Sequence, residues 1–393
     1  MNRPLKVIVI GGGIGGLSTA VTLEKVGCEV ELYEQATELR TAGSGLSVMS
    51  NAAVALSTLG IDLKLGKFGA PIRHFEIRSP NDKLIRNLPL PEISDENGAD
   101  SVCISRKALQ QALLAQVDST KIRTNSKVVA VAENDSGVTV KFSNGSSASG
   151  DILIGADGIH SYVREVLQGP QSVRPADYIC WLAITRFKHP QITPGYVGHY
   201  WGAGKRIGLI DVGGGEVYWW GTANMRNRDA KKWKGNATDI LAFYEGWPSI
   251  VSEIISSTSD DKIISVPAQD KDFSAAWGKG RITLLGDAAH PMLTSLGQGA
   301  GMAIEDAAVL AHTLRDCKDP VAALRQYEEI RIPRAQMLVN ASKALSETEQ
   351  DDRYFHRLKR DFSLKWLPQS KLKQNLKSSL DFEAEGILTS ASA

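Results

Sequence analysis

Four consecutive β-branched residues, Val7-Ile8-Val9-Ile10, run straight into Gly11-Gly12-Gly13-Ile14-Gly15-Gly16-Leu17. This junction constrains the fold more than any other stretch. The apolar run reads as a fully buried strand, and the glycines let the backbone turn sharply into a helix starting near Ile14. Gly11, Gly13 and Gly16 have the spacing at which missing side chains let a pyrophosphate reach backbone N–H groups and the positive end of a helix. An ordinary glycine-rich βα turn is the other reading. The next element favours the nucleotide: Glu31-Leu32-Tyr33-Glu34 reads as a second strand, and Glu34 lies 18 residues beyond Gly16, where a carboxylate can accept both ribose hydroxyls.

The chain has 393 residues, enough for two intimately packed domains or one large domain with an insertion. Its 45 Lys and Arg against 44 Asp and Glu net +1. That balance gives no global field to attract nucleic acid or an anionic membrane, and leaves only a local patch open. Cys28, Cys103, Cys180 and Cys317 are widely spaced with no CxxC pair, so neither a disulfide framework nor a zinc site is suggested. The seven histidines show no ligand spacing, and no metal is expected. Arg3 and Lys6 ahead of an apolar run imitate a secretory signal, but the glycines after Ile10 make a poor signal helix. No other window has the length and apolarity of a membrane span. A cytoplasmic protein with no integral membrane association is expected.

Along the chain, Thr41 to Asn51 is small and polar and reads as a loop, close to a ligand or simply connecting. Ala52 to Leu59 resumes helix, with Gly60 as its stop. Alternating residues from Ile72 to Leu90 around Ser79-Pro80-Asn81-Asp82 signal a hairpin. Ser105 reads as the N-cap of a helix through Val117, with Arg106 at its start. A cation is unfavourable there, which points either to an anionic partner or to simple exposure. A second hairpin spans Lys127 to Phe142, and Asp151-Ile152-Leu153-Ile154-Gly155 returns to a buried strand ending in Ala156-Asp157-Gly158. From Tyr178 to Asn224 short alternating runs rich in Trp and Tyr read as an antiparallel sheet, whose rings are either core or the walls of a site for a flat aromatic. Arg281 to Asp287 is another buried strand. Ala288 to Gly301 reads as a loop and Met302 to Leu314 as an amphipathic helix. An N-terminus opening after Gly297-Gln298-Gly299 suits a developing negative charge. From Arg331 the chain is helical and increasingly basic, and Thr389 to Ala393 reads as a frayed end.

Together, Gly11-x-Gly13-x-x-Gly16 with Glu34, Gly155-Ala156-Asp157-Gly158, and Gly286-Asp287-Ala288-Ala289-His290 resemble the three fingerprints of the single-component, class A FAD-dependent aromatic hydroxylases, from about Lys6 to about Arg334. The resemblance implies an α/β fold: an FAD-binding Rossmann-like domain of glutathione-reductase type, an inserted antiparallel-sheet substrate domain and C-terminal helices. The FAD domain would comprise 1–72, 101–175 and 270–333, the substrate domain 73–100 and 176–269, and the C-terminal helical segment 334–393. By the same match Gly11, Gly13, Gly15, Gly16, Glu34 and Gln35 hold the ADP half of FAD. Asp157 serves the pyrophosphate region, Asp287 the ribityl chain, and Arg106 contacts the flavin nucleotide. Ser47, Val128 and the segment Gly297, Gln298, Gly299, Ala300 and Gly301 also border the cofactor.

Within that family the sequence is similar to the FAD-dependent urate hydroxylases through Gly204-Lys205-Arg206, Val217-Tyr218 and Ser47. This implies that Arg206 and Tyr218 grip the substrate, Arg206 through an anionic oxygen. A strand-edge Arg beside a buried Tyr is the alternative. Thr294 and Ser50 stand where family members commonly carry Pro. His290 reads either as a general base or as a structural group beside Asp287. The implied reaction hydroxylates a small aromatic or heteroaromatic substrate with O2 through a flavin hydroperoxide, with NADPH or NADH as a transient co-substrate. Open alternatives are an epoxidase or oxidative decarboxylase, and a flavin-dependent binding protein without turnover. The chain would act as a monomer or homodimer, and its basic tail either caps the substrate sheet or pairs with another chain.

Overall fold

The computed structural model describes residues 3–39, 44–118 and 121–382. The apolar run forms β1 (Lys6–Ile10), which pairs in parallel with β2 (Glu29–Tyr33) on one side and β12 (Ile152–Gly155) on the other. Adding β8 (Ile122–Arg123) and β18 (Ile282–Leu284) gives a parallel sheet of order β18-β12-β1-β2-β8. Both of its faces are covered, which is why β1, β12 and β18 read as continuous apolar runs. Helix α1 (Ile14–Lys25) crosses from β1 to β2 as expected. The second hairpin is β9 (Val128–Asn134) and β10 (Gly137–Phe142), joined by β11 (Ser147–Gly150) in a small antiparallel sheet.

A short three-stranded sheet, β3 (Gly45–Val48), β7 (Val102–Ser105) and β4 (Ala70–Pro71), lies where Thr41 to Asn51 reads as a loop. Four residues are too few to show alternation, and β7, far along the chain, supplies the hydrogen bonds that make β3 a strand. Helix α2 (Ser50–Ser57) starts inside the same stretch. Residues 41–43 and the end expected to fray, Thr389 to Ala393, lie outside the described residues.

The aromatic segment forms a seven-stranded sheet in the order β17 (Ile264–Asp270), β13 (Arg174–Arg186), β16 (Glu216–Asn224), β15 (Lys205–Asp211), β14 (Tyr196–Trp201), β5 (His74–Arg78), β6 (Leu84–Asn87). All neighbours are antiparallel except β14 and β5. Helices α6 (Asn227–Ala230), α7 (Ala237–Phe243) and α8 (Ser249–Ser256) belong to its outer side, where Trp181, Trp219, Ile207 and Leu209 share a core with Ile240, Ile250 and Ile254. The remaining helices are α3 (Leu90–Asn97), α4 (Arg106–Leu114), α5 (Tyr162–Gln168), α9 (Gly299–Leu314), α10 (Pro320–Glu349), α11 (Tyr354–Trp366) and α12 (Gln369–Leu380). Two starts differ from the expectation. Helix α9 takes in Gly299 and Gly301, because its first turn needs few intrahelical bonds, and α10 begins eleven residues before Arg331 on the cap Asp319 with Pro320 behind it.

Candidate active site

The first turn is built so that only glycine fits. Gly11 has φ +107°, and a Cβ there would lie 2.3 Å from the Ala156 oxygen; one on Gly16 would lie 1.8 Å from the Gly11 oxygen. Gly13, by contrast, faces open space. It caps α1 with no side-chain hydrogen bond, so the first N–H groups of the helix are directed at that space. Glu34 accepts from the Gly12 N–H at 2.7 Å and from the Ala36 N–H at 2.8 Å, one bond to each oxygen, so each keeps further acceptor capacity. Gln35 is exposed beside it, and Val128 follows Ser126, whose N–H donates to the Glu34 carbonyl. Gln110, which no sequence pattern singles out, donates to the Gly12 carbonyl at 3.3 Å and leaves its own buried Oε1 unpartnered. A Gln inside a helix carries no local mark of such a place.

Gly15 lets the second nucleotide-side helix come close: a Cβ there would sit 3.0 Å from Leu285 and 3.4 Å from Ala303 on α9. Two residues beyond the end of β12 comes Asp157, whose Cα lies within 2.9 Å of the Cβ that Gly11 lacks. Its carboxylate accepts from the Tyr162 and Val163 N–H groups and from Ser161, which ties it to the start of α5. Burial raises its pKa against those bonds. Asp287 follows β18 and is exposed to the cleft although protein surrounds it. Burial raises its pKa, opposed by the charges of His290 and Arg106. Arg106, also exposed at the start of α4, is thus brought to the same cleft from a distant part of the sequence. Its guanidinium makes no hydrogen bond among the described residues.

Gly297 (φ +64°) and Gln298 lead into α9, with Gly299 again facing open space and Ala300 and Gly301 completing the first turn. Gln298 is held by Asn51 at 3.0 Å, and Asn51 also donates to Glu305 at 2.6 Å. Behind them lies a buried charge network. Asp306 accepts from the Gly286 N–H at 3.0 Å, from Arg331 at 2.7 Å and from His290 Nε2 at 2.6 Å. A carboxylate only accepts, so that ring nitrogen carries the proton. Burial would raise the Asp306 pKa, but His290 and Arg331 outweigh it and bring the value to about 2. His290 therefore braces the turn that carries Asp287, with Asp306 as its direct partner. Ser50 donates its N–H to Ser101 and accepts from Asn97, a bond that Pro could not make. Thr294 opens a 3₁₀ turn ending at Gly297.

The register of the seven-stranded sheet decides which side chains look inward. Arg206 pairs with Thr222, Gly208 with Trp220 and Ile210 with Tyr218 on β15 and β16, while Leu182 and Ile184 lie opposite Trp220 and Tyr218 on β13. Successive side chains alternate, so Arg206, Tyr218, Trp220, Leu182, Ile184 and His199 share one face. That face meets the nucleotide side. The Tyr218 ring lies against Gly45, where a Cβ would be 2.4 Å from it, and Leu293 of the loop before α9 packs with Tyr178 and Cys180. Ser47, on the same β3, is 3.3 Å from the Cys103 sulfur. Gly208 gives the Trp220 indole its room.

Tyr218 has no hydrogen-bond partner among the described residues, and burial raises its pKa. Arg206 is engaged: Nε donates to Gln350 at 2.9 Å and Nη1 to Glu349, both from the end of α10, and the guanidinium lies 5.4 Å from the Trp220 ring centroid. Nη2 remains without a partner among the described residues. His199 sits edge-on between Phe75 and Trp220, and burial, reinforced by Arg206, pushes its pKa down to about 3. The imidazole is neutral at physiological pH.

The cleft fits FAD on its own features: two helix N-termini facing open space, an Arg106 guanidinium with no hydrogen bond among the described residues, the exposed Asp287 carboxylate and the orphaned Gln110 oxygen. No described helix is long and apolar enough to cross a membrane. The family described as "FAD binding domain" matches residues 4–342. The chain is 32% identical over 387 residues to the aurachin C monooxygenase/isomerase of Stigmatella aurantiaca, covering 97% of this chain and 99% of that protein. It is 32% identical over 338 residues to the FAD-dependent urate hydroxylase of Klebsiella pneumoniae, covering 85% and 88%. Klebsiella pneumoniae HpxO complexed with FAD and uric acid superposes with a TM-score of 0.88 at 28% identity, over 96% of each chain.

Proposed function

This chain belongs to the FAD-dependent monooxygenases of aromatic-hydroxylase type, and we propose that it oxygenates a planar aromatic or heteroaromatic ring that bears an oxygen function and lies on the inward face of the seven-stranded sheet. Bound FAD, reduced by NAD(P)H, supplies the activation of O2. The glycine turn with Glu34 and Gln35 would hold the ADP half, Asp157 and Arg106 the central phosphates, and Asp287 the ribityl chain. Ser47, Val128 and 297–301 would border the cofactor. Residues 73–100 and 176–269 would form the substrate unit.

One observation carries the substrate reading. Two donors on the inward face that have no partner among the described residues, Arg206 Nη2 and the Tyr218 hydroxyl, lie on either side of Trp220 in register. They stand four residues apart in register, about 13 Å along the strands. Trp220, Leu182 and Ile184 would supply the flat apolar wall and keep water from the reacting ring. Because Glu349 balances the Arg206 charge, the site favours a ring carbonyl or hydroxyl over a full carboxylate. The widely spaced, mostly buried free thiols suit a reducing cytoplasm.

The test is a screen of purified, flavin-loaded protein for substrate-stimulated NAD(P)H oxidation, with quinolones, hydroxypyridines, purines and phenolic acids, and mass spectrometry of the products. A product one oxygen heavier supports the reading. Flavin binding with no ring that stimulates oxidation refutes it and leaves a binding protein.

A further inference from the structure

Helix α11 is amphipathic in the wrong sense for a soluble surface. At 100° per residue, Tyr354, Phe355, Leu358, Phe362 and Trp366 fall within about 120° of arc. These side chains are 62%, 78%, 49%, 66% and 66% exposed. The opposite side, which meets the protein, carries Arg357, Arg360, Asp361 and Leu364, all half-buried. Polar contacts hold it there. Arg360 lies 5.3 Å from the Trp201 ring centroid, and Arg86 on β6 donates to the Lys365 carbonyl at 3.0 Å and to Gln369 at 2.6 Å. The helix therefore docks by its charges and holds its aromatic stripe outward, contrary to the usual burial of such residues.

Charge identifies what the stripe meets. From Arg353 to Lys377 the chain has eight lysines and arginines against one acid, Asp361; Arg353, Arg360, Lys373 and Lys377 are held in ion pairs, which leaves Arg357, Lys359, Lys365 and Lys371 outside any ion pair among the described residues. Lys359 lies at one edge of the aromatic stripe and Lys365 within it, both exposed, and Lys365 Nζ reaches to 5.9 Å from the Trp366 ring centroid. Trp, Tyr and Phe bordered by Lys and Arg on a short, otherwise polar helix are the composition of an element that lies in the interface of a lipid bilayer. A two-fold contact through the stripe would instead gather Lys359 and Lys365 of both copies into one interface with no acid on the stripe to balance them, which opposes association.

We propose that α11 docks this enzyme peripherally on an anionic membrane surface, with Phe355, Leu358, Phe362 and Trp366 entering the acyl boundary and Lys359 and Lys365 facing lipid headgroups. The full-length, flavin-loaded protein is mixed with vesicles of phosphatidylcholine alone, or of equimolar phosphatidylcholine and phosphatidylglycerol, and bound protein is measured by sedimentation. Binding to the anionic vesicles is expected, weak binding to the neutral ones, and a steep fall with added salt. The pair Phe355→Glu with Phe362→Glu lowers anionic-vesicle binding at least about tenfold. Lys359→Glu with Lys365→Glu lowers it in the same direction. Both pairs retain flavin content and basal NAD(P)H oxidation, which shows that they are folded. No binding by the parent protein, equal binding to both vesicle types, or binding that survives Phe355→Glu with Phe362→Glu overturns the proposal. So does a dimer, seen by light scattering, that these substitutions dissociate, since the stripe then belongs to a second copy.

Discussion

Glu349→Gln separates the two things Arg206 does. Arg206 and Glu349 are each 3% exposed, so their attraction is little screened and neither charge has water as a substitute partner. Removing one member of such a pair costs about 3–5 kcal/mol, and Gln, which keeps an acceptor oxygen, belongs near the lower figure. Burial holds the Glu349 carboxyl above its ordinary value near 4.5 despite Arg206. On that group's account stability is highest in acid and declines as pH rises from about 4.5 through the raised value, so the variant loses this slope as well. In the site, the guanidinium charge becomes unbalanced. A ring oxygen carrying full negative charge then gains a charge-assisted hydrogen bond worth about 1.5–3 kcal/mol, a tightening of about 10- to 100-fold, while the neutral analogue changes little. Denaturant unfolding measures the first effect, and titration of the flavin-loaded protein with neutral and anionic forms of one ring measures the second. An unchanged ratio of the two affinities refutes the claim that Glu349 sets the charge of the site. A loss of less than about 0.5 kcal/mol refutes the buried pair itself. Arg206→Met combined with Glu349→Leu recovers much of the stability, because no uncompensated charge remains.

Gly16→Ala places a methyl group 1.8 Å from the Gly11 oxygen, and purified protein is expected to lose its visible flavin absorbance; full flavin content would show that the turn is looser than described. Tyr218→Phe keeps flavin but weakens substrate binding about fivefold, the value of one hydrogen bond near 1 kcal/mol, and an unchanged dissociation constant removes Tyr218 from the site. Asp306, lowered from 3.8 to about 2, contributes about 2 kcal/mol that is present above pH 4 and lost as pH falls toward 2. Asp306→Asn should therefore flatten the acid limb of stability against pH, as read by thermal unfolding. His199 is neutral down to about pH 3, so substrate affinity between pH 5 and 8 is expected to show no inflection that His199→Gln abolishes.

Range decides which features the sequence discloses and which it hides. The β1 turn, Ser105 as N-cap and both hairpins are legible because their signals are local: β-branched runs, an Oγ that accepts from the Ala108 N–H, Asn and Asp in turns. Asp287 and Arg106 are legible as motif positions, but the cleft that unites them exists only after β18 is laid beside β12. Glu349 had no signal at all. It is one acid in a 30-residue helix, and it acquires meaning because α10 ends over β15. The same holds for α11, where periodicity reveals two faces but cannot say which one turns outward. Here the polar face is held inward by Arg86, which donates to the Lys365 carbonyl, and by Trp201, against which Arg360 lies, and both of those partners are outside the helix. Pattern reading assigns an apolar stripe to the core by default. The inversion at α11, like the engaged charge at Arg206, marks a place where tertiary packing overrides the local rule, and such conflicts concentrate where a protein meets something other than itself.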